Sequence, residues 1–221
     1  MSATLRPATA IVLVSIALIG GCPASQPKPY QQLDSSHYLR PGDDGGHGHK
    51  PYAYNDPDVD WKRYDSIVID PVMIYRGDDA QFDKVSDADK QELADYMRDT
   101  FGARLRERYP VVATPSDGTL RVHLTLTGAA ATPAVASKVT RMDLVGAPIN
   151  AVQAIRGREG LFMGSVSYAV EIYDARDQRL LAAYVDKQYP NAMSMASTFG
   201  KLTASKRGID KGADALLATL R

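Results

Sequence analysis

Cys22 is the only thiol among 221 residues. No internal disulfide can form, so whatever this chain folds into must be held by packing and hydrogen bonding alone. That requirement puts the weight on apolar periodicity, and two patterns supply it. Leu120, Val122, Leu124 and Leu126 alternate with Arg121, His123, Thr125 and Thr127, the period of a strand with one covered face. Leu93, Met97, Phe101 and Leu105 recur every four residues with Tyr96 beside them, the spacing of a helix with one apolar stripe.

The remaining elements fall around these two. Residues 66–72, Ser-Ile-Val-Ile-Asp-Pro-Val, are short, β-branched and nearly all apolar, which predicts a buried strand. Pro71 has no N–H to give a ladder and belongs at a strand end, an edge or a bulge. Ser86 is placed to cap the first helix, with Asp87 and Asp89 in its first turn. Pro110 stops that helix near Tyr109. Gly102, costly inside a helix, suggests close approach to a strand.

Val111, Val112 and Ala113 read as a short strand, and His123 falls on the polar face of the alternating one as a surface histidine. Residues 165–173 and 179–189 alternate around the turn 174–178 and predict an antiparallel hairpin. Val166, Tyr168, Val170 and Ile172 share one face of it, with Leu181, Ala183 and Val185 alternating on the return strand. A final helix over 197–220 carries Leu202, Ile209, Ala213, Leu216, Leu217 and Leu220 along one side. The fold class is α/β (α+β): a single small mixed or antiparallel sheet covered by two main helices, in the order strand–helix–strands–hairpin–helix. Residues 128–160, rich in Ala and Gly with a short helical stretch at 149–155, are either a partner-binding surface or an excursion that completes the core.

The first residues read as an export signal. Arg6 gives a positive start, and an apolar run of about a dozen residues follows, shorter than the ~20 a membrane-spanning helix needs. Gly20 and Gly21 supply the small side chains a peptidase requires. Ile19-Gly20-Gly21-Cys22 resembles the lipobox of bacterial lipoproteins. That resemblance implies cleavage between Gly21 and Cys22, a diacylglycerol on the Cys22 thiol and a fatty acyl chain such as palmitate on the new amino group. Two or more chains hold stably in a bilayer where one does not. Pro23 stands where an Asp would imply retention at the inner membrane, so the sorting rule implies the outer membrane, facing the periplasm.

The expected organisation is a signal peptide over 1–21, lipidated Cys22 with a flexible tether over 22–55, and one periplasmic domain over 56–221. The tether is rich in Gly and Pro, although Tyr30, Leu33, Tyr38 and Leu39 offer apolar groups that can dock. His47 and His49, with His37, Asp43 and Asp44 nearby, offer ligands to a transition metal, but they match no structural zinc spacing, and a flexible Gly/His loop is the favoured reading over a metal site.

Several segments together carry a family resemblance: the lipobox, Asp60-Trp61-x-x-Tyr64 leading into residues 67–72, Arg108-Tyr109-Pro110-Val111-Val112, Leu120-Arg121-Val122, and Phe162-Met163-Gly164 ahead of Glu171-Ile172-Tyr173-Asp174. In this order they resemble the domain-of-unknown-function 3313 family of bacterial lipoproteins, over most of the mature chain. The resemblance implies no catalytic residues.

The motif content agrees. The sequence has no Gly-x-Ser-x-Gly elbow, phosphate loop, His-Glu-x-x-His pair or dinucleotide fingerprint. Asp58, Asp60, Asp70, Asp78, Asp79 and Asp83 fit turns and caps. The 26 basic and 26 acidic residues balance, which gives no electrostatic case for nucleic acid. The expectation is a non-enzymatic lipoprotein, held to a membrane through Cys22 and binding or supporting another envelope protein, with no cofactor, metal or catalytic residue. The alternative is an envelope hydrolase or small-ligand-binding protein whose site forms only in three dimensions.

Overall fold

In the computed structural model, residues 27–42, 50–131, 164–188 and 200–220 are described. The described residues form one eight-stranded sheet, mostly antiparallel, and two helices. The strands are β1 (Arg40–Pro41), β2 (Tyr52–Asn55), β3 (Ser66–Ile69), β4 (Met73–Ile74), β5 (Gln81–Asp83), β6 (Thr119–Ala130), β7 (Ser165–Asp174) and β8 (Leu180–Gln188). The helices are α1 (Asp87–Arg106) and α2 (Thr203–Thr219). The order across the sheet is β1-β2-β8-β7-β6, and β6 then pairs in parallel with β3, β4 and β5 in turn.

That last edge is one strand broken into three pieces. Ile67 aligns with Leu120, Met73 with Thr125 and Gln81 with Gly128. Pro71 sits in the first break, at a strand end on the sheet edge, where its missing N–H leaves no ladder bond unmade. Val111 makes only a single bridge, to Ile67, so the expected short strand at Val111–Ala113 does not form.

The sequence periodicities map onto one face of the sheet. Leu120, Val122, Leu124 and Leu126 are fully buried there with Val166, Tyr168, Val170 and Ile172, under Leu93, Met97, Phe101 and Leu105 of α1 and Ile209, Ala213 and Leu216 of α2. Burying each such side chain contributes roughly 1.5–3 kcal/mol. Ser86 and Asp89 exchange side-chain-to-amide bonds in a capping box that starts α1. Tyr109 closes its far end by donating from its hydroxyl to the Leu220 carbonyl at 3.1 Å. The described helix α2 begins at Thr203, after the turn at Gly200; residues 189–199 lie outside the described residues.

Two expectations about packing are corrected. A Cβ on Gly102 would meet only the Arg106 guanidinium, not a strand. The close approach belongs to α2, where a Cβ on Gly212 would lie 2.1 Å from the Tyr168 hydroxyl and one on Gly208 2.7 Å from Val166 Cγ1. The hairpin forms in the expected antiparallel register, but Ile172 faces Ala182 while Tyr173 faces Leu180, so Leu181 is an extra residue. It therefore turns to the helix face, and Ala183 and Val185 pack on the opposite one.

That opposite face is not left to solvent. Tyr30, Leu33 and Leu39 are buried on it against Tyr75, Ala169, Tyr173 and Val185. β1 and β2 extend the sheet beyond β8. The described parts of the stretch read as a tether, 27–42 and 50–55, are thus part of the domain. The physical reason is that the sheet has two faces and the helices cover only one, so the sparse aromatic and aliphatic groups of this segment have an apolar surface to cover. Tyr38 stays 47% exposed.

Candidate functional site

The covered face opposite the helices carries a polar cluster. His123 on β6 and Glu171 on β7 stand directly opposite each other, with Arg121 opposite Tyr173 two residues along. Asp70, just past the end of β3, is held by its backbone N–H to the Val122 carbonyl. From there its Oδ2 meets His123 Nε2 at 2.7 Å and Arg121 Nη1 at 3.5 Å. The His123 ring packs on Tyr173 with centroids 4.8 Å apart.

The N-terminal segment closes the cluster from above. Ser35 is buried, and its backbone N–H donates to Glu171 Oε1 at 2.7 Å. Its neighbour Asp34 is exposed, and ligand atoms of Asp34, His123 and Glu171 all lie within 4.8 Å of one another. Glu171 is only 4% exposed, yet no ion pair reaches it among the described residues. The Tyr173 hydroxyl, also buried, has no hydrogen bond of standard geometry. Burial first, and then the charges of Glu171 and Asp34, push its titration well up. Asp34 and Tyr173 also line a shallow groove of about 340 Å³ together with Tyr38, Tyr54, Asp56 and Arg179.

A second buried polar group lies on the helix face. Tyr168 and Gln188 both donate to Asp186, at 3.0 and 2.8 Å. Burial raises the Asp186 carboxyl despite these bonds and despite Lys50 nearby, and burial likewise lowers Lys50. Lys50 rests over the Tyr184 ring, 3.6 Å from its centroid. This group ties the end of β8 to its surroundings.

Of the residues singled out by sequence, Gly21 and Cys22 lie outside the described residues, as do Asp43, Asp44, His47 and His49 and most of 128–160. His37 is exposed and contacts Ser36 and Tyr38. Asp60 caps the 3-10 turn Trp61–Arg63, and Asp56 accepts from the Asp58 amide, as turn chemistry predicts. Asp70 does not follow that reading, since it pairs with His123 and Arg121. His123 is half-buried in an ion-paired cluster rather than free on a surface. Asp34 and Glu171 were not singled out. Asp34 has no local signal, and that of Glu171 is a Glu interrupting an apolar strand at the register position facing His123, visible once the hairpin and β6 are aligned.

No described helix is long and apolar enough to cross a membrane. A family model described as "Protein of unknown function (DUF3313)" matches residues 29–216. No curated protein matches significantly. Similar solved structures include the PelC dodecamer from Paraburkholderia phytofirmans, with TM-score 0.38 and 12% identity, covering 74% of this chain and 95% of that one. Another is protein XCC0632 from Xanthomonas campestris, of the DUF330 family, with TM-score 0.36 and 10% identity, covering 75% and 89%.

Proposed function

The chain belongs to the DUF3313 family, and from that premise we propose that it is a lipid-anchored protein of the bacterial envelope that binds a partner and performs no catalysis. The observation that carries this reading is the apolar run ending in Leu18-Ile19-Gly20-Gly21-Cys22, with the sole thiol at its end. Cleavage before Cys22 and acylation of that residue hold the protein to a membrane, and the lack of an Asp at position 23, where Pro23 stands, favours the outer membrane facing the periplasm.

The docked N-terminal segment gives the anchor a consequence. Pro27 is the first described residue and is buried. An extended chain covers at most ~3.6 Å per residue, so the five steps from Cys22 to Pro27 span no more than roughly 18 Å. A protein anchored this way is held against the leaflet, with no long leash. Its partner then meets it at the membrane surface, and the groove edged by Tyr38, Tyr54 and Tyr173 is a surface such a partner can use.

Crosslinking in intact cells, followed by mass spectrometry, tests the binding role. Repeated enrichment of one envelope protein is expected, and repeated failure to enrich any counts against it. The alternative of a small-ligand site is favoured by one observation, the gathering of His123 with Asp34, Asp70 and Glu171 beside that groove.

A further inference from the structure

We propose that Asp34, His123 and Glu171 form a binding site for one divalent transition-metal ion, zinc in the first instance, with Asp70 as the residue that positions His123. The donor set is one imidazole nitrogen and two carboxylate oxygens, a combination that suits zinc and leaves coordination positions open. In a tetrahedral site with bonds of ~2.1 Å the ligand atoms lie ~3.4 Å apart. The present spread, within 4.8 Å, needs the three to close by up to about 1.4 Å. Asp34 is exposed on the N-terminal segment, so it is the ligand free to make that movement.

Three features separate this cluster from an ordinary polar contact. First, His123 Nε2 is engaged by Asp70 Oδ2 at 2.7 Å, so Nδ1 is the ring nitrogen that would meet the ion. A metal-ligating histidine characteristically gives its other ring N–H to a carboxylate, which fixes the tautomer and orients the ring. Second, Glu171 is 4% exposed and accepts from the Ser35 backbone N–H, with no cation paired to it among the described residues. A buried carboxylate left this way is costly, and a bound cation removes the cost. Third, the Tyr173 hydroxyl, on a residue 8% exposed, lies beside the same two carboxylates and makes no hydrogen bond of standard geometry. Arg121 lies against the cluster with its ion pair to Asp70 rather than to a proposed ligand.

The site is built from three separate parts of the chain: the N-terminal segment, β6 and β7. An ion there would fasten the segment to the sheet. It would also place its open positions next to the groove, since Asp34 belongs to both. This inference does not depend on lipidation, and its test reads a different quantity.

The test uses the full chain purified in detergent, stripped with a chelator, and titrated with Zn²⁺ alone by calorimetry and with Co²⁺ alone by visible absorption. The wild type is expected to bind an ion at this site with a rise in melting temperature on loading. His123→Ala and Glu171→Gln are each expected to lose one equivalent of ion. Asp70→Asn should weaken binding about 10–100-fold while keeping the stoichiometry, as loss of an orienting carboxylate does. Asp34→Asn, at an exposed position where folding is not at stake, should weaken binding about tenfold or more. A variant with both His47→Ala and His49→Ala should retain the ion. The proposal is overturned if the wild type takes up no ion, if Asp34→Asn and His123→Ala bind as the wild type does, or if the ion disappears only with His47 and His49.

Discussion

The backbone N–H of Ser35 donates to the carboxylate of Glu171 at 2.7 Å, joining residues 136 positions apart. This bond and the burial of Tyr30, Leu33 and Leu39 make the N-terminal segment a second cover for the sheet. Replacing Glu171 by Ala leaves the buried Ser35 amide without its acceptor, which costs about 1–3 kcal/mol. Limited proteolysis is therefore expected to cut within residues 27–39 sooner in Glu171→Ala than in the wild type, while α1 and β6 stay protected. Equal cutting rates would show that the bond does not hold the segment.

A second fastening responds to pH. The Asp79 carboxylate accepts from the Tyr75 hydroxyl at 2.6 Å and from the Gln31 amide at 3.2 Å. Burial alone would raise its titration, but these bonds outweigh it and hold the group below its ordinary 3.8. A carboxyl lowered on folding stabilises above its unfolded value and loses that contribution as pH falls through the lower folded value. The Gln31 amide resonance should therefore shift at a pH below 3.8 in the wild type, and not in Asp79→Asn. A shift centred above that value would contradict the assignment.

The two helices respond oppositely to the same substitution. Gly102→Ala on α1 places a methyl group against a flexible guanidinium, so its helix propensity is expected to dominate and raise stability by about 0.5–1 kcal/mol. Gly212→Ala on α2 forces a methyl group into the Tyr168 ring and should lower stability by about 1–3 kcal/mol. Chemical denaturation of both variants checks the contrast, and a stabilised Gly212→Ala would mean that α2 sits farther from β7 than described.

These cases show where sequence patterning reaches and where it stops. The stripe from Leu93 to Leu105 and the alternation from Leu120 to Leu126 each lie within one element, so local periodicity exposed them, and with them the sheet and its helices. The Ser86 cap is equally local. Gly102 and Gly212 look alike in sequence, and only the neighbouring element tells them apart. The bulge at Leu181 turns a side chain to the other face through one extra residue, which alternation cannot register. The polar cluster was the least legible feature, because Asp34, Asp70, His123 and Glu171 come from four separate segments and meet only when the second face of the sheet is covered. A segment rich in Gly and Pro read as loose because composition does not reveal that a bare sheet face awaits its few aromatic groups.

A lipid at Cys22 is what would hold the protein to its membrane. Growth of the native organism with an alkyne-bearing fatty acid, followed by purification and intact-mass measurement, tests it directly. The expected result is a labelled chain that begins at Cys22, carries the added mass of its acyl groups and loses both label and membrane partition in Cys22→Ala. An unlabelled chain retaining residues 1–21 and released freely into buffer would contradict it.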